Sequence, residues 1–419
     1  MSLFDPWDAI EAVALDDTPV ERALDSATPA VRAILDRALG GRCPSVEEAE
    51  VLLSIEGTAD LTALVRAADA ARAADVGDVV TYVVNRNLNF TNVCFVNCQF
   101  CAFKRHRWEA DAYTHGLARI IEKITEAIAR GATEICMQGG INPDMHPFYY
   151  RDLLLDIKSR FPSLHVHAFS PMEILYGSRR TGLDYTAYIG MLRECGLGSI
   201  PGTAAEILDD EVRELLSHKK VDVRAWVDII TTAHRVGVPT TSTVMYGHVE
   251  TAGHIARHLD LLRTIQRETA GFTEFVPLGF IWENTKLYHD GLVRPQAKGL
   301  RDLRIYAASR LVLRGLIDNL QTSWVKLGHR LAQLTLRAGC NDFGGTLMEE
   351  SISREAGADA GEYTSVAEIE ALVRAMGRTP IERTTLYGRV ESHATSAPRD
   401  GADGRRRGSP LPAGSLAAP

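Results

Sequence analysis

The period of the apolar positions changes once along this chain. Up to about residue 77 the apolar residues recur at helical spacing, across 29–39 and again across 45–71. Thr28 ahead of Pro29 reads as a cap followed by a first-turn proline, and Gly40-Gly41 as the stop. Ser45 followed by Glu47 and Glu48 reads as a second capped start with acids in its first turn. From residue 79 onward, short strand-like runs alternate with helical ones. The runs are 79–85, 89–93, 134–137, 164–169, 197–200, 240–246, 273–276, 322–326 and a last one around 339–343, and polar, Gly or Pro punctuation follows them. Helical patterns lie between them, for example at 117–130, 184–194, 223–236, 254–268 and 300–316. Strand followed by helix, repeated about eight times, predicts parallel strands joined by right-handed crossovers. The expected fold is α/β, a (β/α)8 TIM-type barrel with an N-terminal helical extension, and its site is expected at the C-terminal strand ends. The expected layout is a helical region over 1–77, the barrel over 78–390 and a tail over 391–419. That tail is rich in Pro, Gly, Ala and Arg without apolar period, which predicts disorder.

Composition narrows the class without naming it. The 419 residues are 45% hydrophobic and 24% charged, which is ordinary for a globular protein. The net charge of -8 and the absence of a basic stripe argue against nucleic acid; the lone basic run, Arg405 to Arg407, lies in the tail. No apolar stretch approaches a membrane span, and the acidic opening Met-Ser-Leu-Phe-Asp-Pro-Trp-Asp has no signal-peptide pattern, so a cytoplasmic location is expected.

Chemistry enters with Cys94, Cys98 and Cys101, spaced C-x3-C-x2-C within eight residues. Three thiolates on one loop can hold three irons of a cubic [4Fe–4S] cluster and leave the fourth iron open to a substrate or cosubstrate. A zinc site normally wants four ligands, and only His106 lies nearby as a fourth. A disulfide framework is disfavoured, because the seven cysteines are few and scattered. Cys43, Cys136, Cys195 and Cys340 read as small buried apolar residues. The histidines near strand ends, His165, His167 and His248, read as structural.

The cysteine spacing resembles that of the radical S-adenosylmethionine (SAM) enzymes, in which the open iron chelates the methionine part of SAM. In that frame Gln138-Gly139-Gly140, after the second barrel strand, marks where the methionine amine binds, since glycines let a ligand approach the backbone. Thr243-Val-Met-Tyr-Gly247-His-Val-Glu250 resembles the fifth-strand adenine motif, with Thr243 and Met245 departing from it. Gly247 would give the adenine room, and Glu250 would hold the strand end. Glu206, in Pro201-Gly-Thr-Ala-Ala-Glu206, could reach the ammonium or ribose of SAM, or simply favour a helix start.

A narrower resemblance rests on five stretches: 201–213, 245–251, 272–278, 321–328 and 341–350, together with the Asn-Phe-Thr-Asn and Ala-Phe flanks of the cysteine loop. They look like the tyrosine-using half of the deazaflavin (FO) synthases, over roughly residues 45–390. The resemblance implies a transferase of coenzyme F420 biosynthesis. A 5′-deoxyadenosyl radical would take a hydrogen from the amine of L-tyrosine, the Cα–Cβ bond would break, and the 4-hydroxybenzyl radical would add to 5-amino-6-(D-ribitylamino)uracil. The implied cofactors are one [4Fe–4S] cluster with an open iron and SAM. The implied partners are FO synthase subunit 1 and an external electron donor, with no nucleic acid and no membrane. Lys326, Asn341, Asp342 and Thr346, at the last strand ends, are the expected contacts to the uracil or its ribityl chain. The alternatives are a menaquinone-pathway enzyme of the same clan, which typically carries Pro-Gly-Gly-Gly where this chain has Pro201-Gly-Thr-Ala, and, in another class, a non-enzymatic iron–sulfur protein or a zinc-bearing scaffold.

Overall fold

The computed structural model describes residues 3–390; the 391–419 stretch lies outside the described residues. The N-terminal helices are Trp7–Ala14, Val20–Ser26, Pro29–Leu39, Val46–Leu53 and Thr58–Val76, so the 45–71 pattern is two helices broken at Ser54. Ser45 and Glu48 form the expected reciprocal cap, Ser45 Oγ accepting from the Glu48 N–H at 3.2 Å and Glu48 Oε2 from the Ser45 N–H at 2.8 Å. Thr28 does precede the Pro29–Leu39 helix, but its hydroxyl donates to Asp60 at 2.9 Å instead of capping. The Thr58–Val76 helix packs on Leu300–Leu313, and Val46–Leu53 on Ala252–Thr269. Their small buried faces, Ala63, Ala67, Ala68 and Ala71, let the backbones come close.

Eight strands follow: β1 (Val79–Val83), β2 (Asn85–Leu88), β3 (Glu134–Met137), β4 (His165–Ala168), β5 (Thr240–Tyr246), β6 (Phe272–Gly279), β7 (Asp342–Gly345) and β8 (Thr379–Glu382). All paired strands are parallel, as the alternation with helices predicts. Their ladders are three and separate, in the orders β7-β1-β8, β2-β3-β4 and β5-β6, so the pairing shows no closed barrel. Single parallel bridges connect the ladders, from His167 to Ser199, Ile200 to Thr240, Phe275 to Leu320 and Gln321 to Asp342.

The strand roster differs from the sequence expectation in four places, the first being the 89–93 run, which makes only isolated bridges at Thr91 and Val93 because β2 stands ahead of it at Asn85–Leu88. The 197–200 run makes only isolated bridges, because Pro201-Gly202 ends it at once. The 322–326 run is a short helix, Trp324–Leu327, whose Trp324 indole donates to Gly345 O at 2.9 Å and stacks on His329. β8 went unread, since Thr-Pro-Ile-Glu carries no apolar alternation; it pairs with β1 from Val79↔Thr379 to Tyr82↔Glu382. The chain after β8 then turns inward, which gives the cavity a floor.

Candidate active site

One cavity of about 420 Å3 runs from the cysteine loop down to this floor. Cys94, Cys98 and Cys101 all line it. The loop is held from outside by its own backbone: Cys94 N–H donates to Arg105 O at 3.0 Å, Arg105 N–H to Asn92 O at 2.7 Å, and Phe95 N–H to Ile141 O at 3.2 Å. The Arg105 guanidinium donates to the carbonyls of Ala102, Phe103 and Lys104, at 2.8, 3.2 and 3.0 Å. Asn97 takes a left-handed φ of 62°, which asparagine tolerates, and this lets the chain double back between Cys94 and Cys98. His106 stacks on the exposed Trp108 at 4.7 Å.

These thiols fit a cluster by their chemistry. Burial pushes Cys98 up to about 12 and raises Cys101 as well, with Lys220 opposing the rise at Cys98. Such thiols stay protonated unless a cationic centre compensates the thiolate, which is what iron does. Among the described residues no three His, Cys, Asp or Glu side chains are placed for a single metal ion. A cluster asks for a wider spread, since each thiolate binds a different iron.

Gln138, Gly139 and Gly140 also line the cavity, just past the end of β3. The glycines do something more local than admit a ligand. A Cβ on Gly140 would stand 2.2 Å from Val93 O and 3.0 Å from Cys94 Cβ; one on Gly139 would stand 2.6 Å from the Phe90 ring. The strand end thus nests directly under the cysteine loop, and Gly140 N–H donates to Thr91 O at 2.8 Å. Gly139 N–H donates to Glu173 at 3.1 Å, a fully buried carboxyl that burial pushes up to about 7.

Glu206 lines the cavity as well, but it is already paired. Lys220 Nζ lies 2.8 Å from its Oε1 and Arg213 Nη1 3.5 Å from its Oε2. Lys220 also sits 5.0 Å over the Phe100 ring, close to Cys98. Thr243 and Met245 face the cavity from β5, whereas Gly247 does not line it. Gly247 has φ 94°, and a Cβ there would meet Arg301 at 2.9 Å, so its role is a turn against that guanidinium. Glu250 holds that turn as the sequence suggests, accepting from the N–H of His248 at 2.8 Å and of Gly247 at 2.5 Å.

Of the four expected substrate contacts only Lys326 reaches the cavity, where its ammonium donates to Ser353 Oγ at 2.7 Å. The other three are spent on the fold. Asn341 Oδ1 accepts from Arg310 at 2.6 Å and from the Leu320 N–H at 2.8 Å. Asp342 pairs with Arg383, and the Thr346 hydroxyl donates to Asn85 O at 2.8 Å. For Asn341 and Asp342 the reason is register, since they stand at the start of β7 rather than past its end; Thr346 does follow that end, but β2 takes its hydroxyl. His165 and His167 share Ser199 Oγ, at 2.8 and 2.6 Å, and His167 also reaches the cavity wall. His248 donates to Met245 O at 2.9 Å and accepts from the Val249 N–H at 2.7 Å. Cys136, read as apolar filling, lines the cavity too.

Several cavity residues escaped the sequence reading: Asn85, Glu134, Lys220, Glu274 and Arg383. Lys220 sits in an unremarkable His-Lys-Lys run, and Glu134 and Glu274 lie within strand-like runs that carry no motif. A carboxylate inside an otherwise apolar strand, as in Phe-Thr-Glu-Phe-Val, was the one available signal, because burying it needs a partner.

Parallel strands alternating with helices, around a cavity that three closely spaced cysteines line, define the class. Residues 88–262 match the radical SAM superfamily, and 269–395 match the CofH/MqnC C-terminal region. Solved structures share the fold: methylornithine synthase superposes with a TM-score of 0.66 at 20% identity, over 83% of this chain and 97% of that one. The [FeFe]-hydrogenase maturase HydG of Carboxydothermus hydrogenoformans gives 0.65 at 14% identity, over 91% and 86%. Closer relatives sharpen the placement. The 5-amino-6-(D-ribitylamino)uracil–L-tyrosine 4-hydroxyphenyl transferase of Methanothermobacter thermautotrophicus is 50% identical over 82% of this chain and 94% of its own length. That of Methanocaldococcus jannaschii is 46% identical over 83% and 97%. The FO synthase of Nocardia farcinica is 48% identical over 93% of this chain, which spans 45% of that longer protein. This chain belongs to the family of these tyrosine 4-hydroxyphenyl transferases, within the radical SAM superfamily.

Proposed function

We propose that this chain cleaves the Cα–Cβ bond of L-tyrosine and joins the 4-hydroxybenzyl fragment to 5-amino-6-(D-ribitylamino)uracil, a precursor step to FO and coenzyme F420. The observation that carries the choice of substrates is the 50% identity to the Methanothermobacter thermautotrophicus transferase over 94% of its length. In this reading Cys94, Cys98 and Cys101 hold one open-iron [4Fe–4S] cluster per chain, and SAM lies against Gln138, Gly139, Gly140 and Glu206. When bound, that pair supplies a 5′-deoxyadenosyl radical.

The residues present prepare the space for such chemistry. Lys220 and Arg213 fix the Glu206 carboxylate, so it presents a rigid acceptor at no further ordering cost. Thr203 Oγ1 donates to Gln138 Oε1 at 3.0 Å, which leaves the amide NH2 of Gln138 for a ligand and for Cys136. Val96, Phe103, Ile141, Met172, Leu278 and Ile281 line the wall with hydrocarbon and keep water from a reactive fragment. Lys326 offers a cation for a substrate carboxylate, which an amino acid carries. Gly247 is withdrawn from the SAM site in favour of Thr243 and Met245, and Asn341, Asp342 and Thr346 are withdrawn from the substrate site.

We further take the three ladders and their bridges as one (β/α)8 wall over 78–390, buttressed by the helices of 1–77. Ring closure then falls to FO synthase subunit 1, and the electron to an external donor. Among the described residues no helix is long and apolar enough to cross a membrane, which suits a cytoplasmic enzyme. The test is anaerobic reconstitution followed by mass spectrometry of two parallel reactions. Tyrosine with the diaminouracil should give the adduct, 5′-deoxyadenosine and methionine. Turnover of the carboxyvinyl-benzoate substrate of aminofutalosine synthase without that adduct would move the chain to the menaquinone pathway.

A further inference from the structure

The floor of the cavity, opposite the cysteine loop, has a chemistry the SAM half does not need. Glu134 opens β3 and Gly139 lies just past its end, five residues on, so roughly 16 Å of strand separates the floor from the loop. Arg383 and Thr385, on the chain that turns in after β8, close the bottom. Two carboxylates, Asp342 and Glu274, share the Arg383 guanidinium there, and a third, Glu134, takes the Asn85 amide at 2.9 Å. Glu274 Oε2 also accepts from the Tyr387 hydroxyl. One oxygen of each glutamate, Glu134 Oε2 and Glu274 Oε1, stays outside these hydrogen bonds. Burial lowers His167 to about 4 and raises Glu274 to about 7, so neither carries a full charge near neutral pH.

A second observation points to a bound molecule. Thr385 is 7% exposed and lines the cavity, and its hydroxyl makes only a poorly aligned contact to Glu134, which leaves it open to a better partner. Buried hydroxyls are nearly always paired. The floor is therefore rich in acceptors, carries more negative than positive charge, and holds a poorly paired hydroxyl. It suits a neutral ligand with many hydroxyl donors and repels an anion.

We propose that this floor is the pocket for the polyol chain of the second substrate, with Glu134, Glu274 and Thr385 taking hydrogen bonds from its hydroxyls. The inference rests on the reading under Proposed function and places one substrate within it. L-Tyrosine is assigned to the level of Lys326, where its carboxylate meets a cation rather than the carboxyls of Glu134 and Glu274. A phosphorylated polyol is excluded from the floor on the same ground.

The test is calorimetric titration of the anaerobically reconstituted protein, with SAM present, by three ligands. These are the diaminouracil, its chain-terminal phosphate ester, and an analogue with a 6-methylamino group in place of the polyol. The wild-type protein should bind the diaminouracil at least 100-fold more tightly than the ester. Glu274→Gln and Glu134→Gln should each weaken the diaminouracil at least tenfold, narrow the gap to the ester, and leave the analogue within twofold. Thr385→Val, nearly isosteric, should weaken the diaminouracil about threefold at an unchanged melting temperature, and it carries the test if a glutamine variant misfolds. Equal weakening of the analogue, or weakening of tyrosine in place of the diaminouracil, would overturn the assignment. If the wild-type protein fails to bind the diaminouracil at all, the proposed function falls with it. If it binds and the variants bind equally well, only the floor assignment falls.

Discussion

Gly140→Ala is the sharpest perturbation the structure offers. The new Cβ would stand 2.2 Å from Val93 O, against an ordinary contact of 3.4 Å, so one backbone must move by about 1.2 Å. The obstacle is a carbonyl rather than a flexible side-chain tip, and Gly140 N–H is tied to Thr91 O at 2.8 Å. The movement therefore passes into Val93 and Cys94, not into a rotamer. Overpacking of this kind costs about 1–3 kcal/mol. The expected result is a loss of that size in urea unfolding, together with a fall in iron bound per chain after reconstitution. Gly190→Ala is the control, since it lies inside the Tyr185–Glu194 helix with nothing within 4 Å of its Cβ. It should gain about 0.5–1 kcal/mol from helix propensity and bind iron as the wild-type protein does. A Gly140→Ala protein with unchanged unfolding and full iron content would refute the nesting of strand end under loop.

Three further outcomes are expected. Replacing any one of Cys94, Cys98 or Cys101 by Ala should abolish SAM cleavage and lower bound iron and sulfide; a triple variant that keeps its cluster would sink the ligand assignment. Lys220→Met strips the buried Glu206 of its 2.8 Å partner while Arg213 remains at 3.5 Å. One-sided loss of a buried pair costs about 3–5 kcal/mol, and the remaining arginine should hold the loss near the lower end, as read by chemical denaturation; a loss near zero would mean that Glu206 is not stabilised by this pair. His258, fully buried between Thr243 O and the Leu208 N–H, is held neutral, lowered from 6.5 to about 3. Its folded value is the depressed one, so the unfolded chain binds the extra proton between these values and stability falls as pH drops below 6.5. At pH 5 this is about 2 kcal/mol relative to neutral pH, and His258→Gln should remove that much of the acid-side slope in unfolding measured at pH 7, 6 and 5; an unchanged slope would refute it.

The repeating alternation of strand and helix was legible because each element carries its own local period, and the cysteine triad because it is contiguous. What stayed illegible depends on register and on long-range closure. Asn341 and Asp342 look like strand-end ligands when β7 is placed at 339–343, but the strand runs Asp342–Gly345 and their side chains serve Arg310 and Arg383; Thr346 does follow the strand, and its hydroxyl goes to Asn85. Gly139-Gly140 was visible as a motif, while its reason, the Val93 carbonyl, lies on another segment. Arg383 could not be read as a cavity residue, because only the pairing of β8 with β1 brings it under β6 and β7. The clamp of Lys220 and Arg213 on Glu206 likewise joins residues whose local contexts look solvated.

The central claim is that tyrosine is split at Cα–Cβ and only its 4-hydroxybenzyl part is transferred. The most direct measurement is mass spectrometry of the uracil adduct from two labelled tyrosines, one carrying 13C in the ring and Cβ, the other in Cα and the carboxyl group. The adduct should carry the whole of the first label and none of the second, with 5′-deoxyadenosine formed alongside. An adduct that keeps Cα, or 5′-deoxyadenosine formed with no labelled adduct at all, would contradict the account.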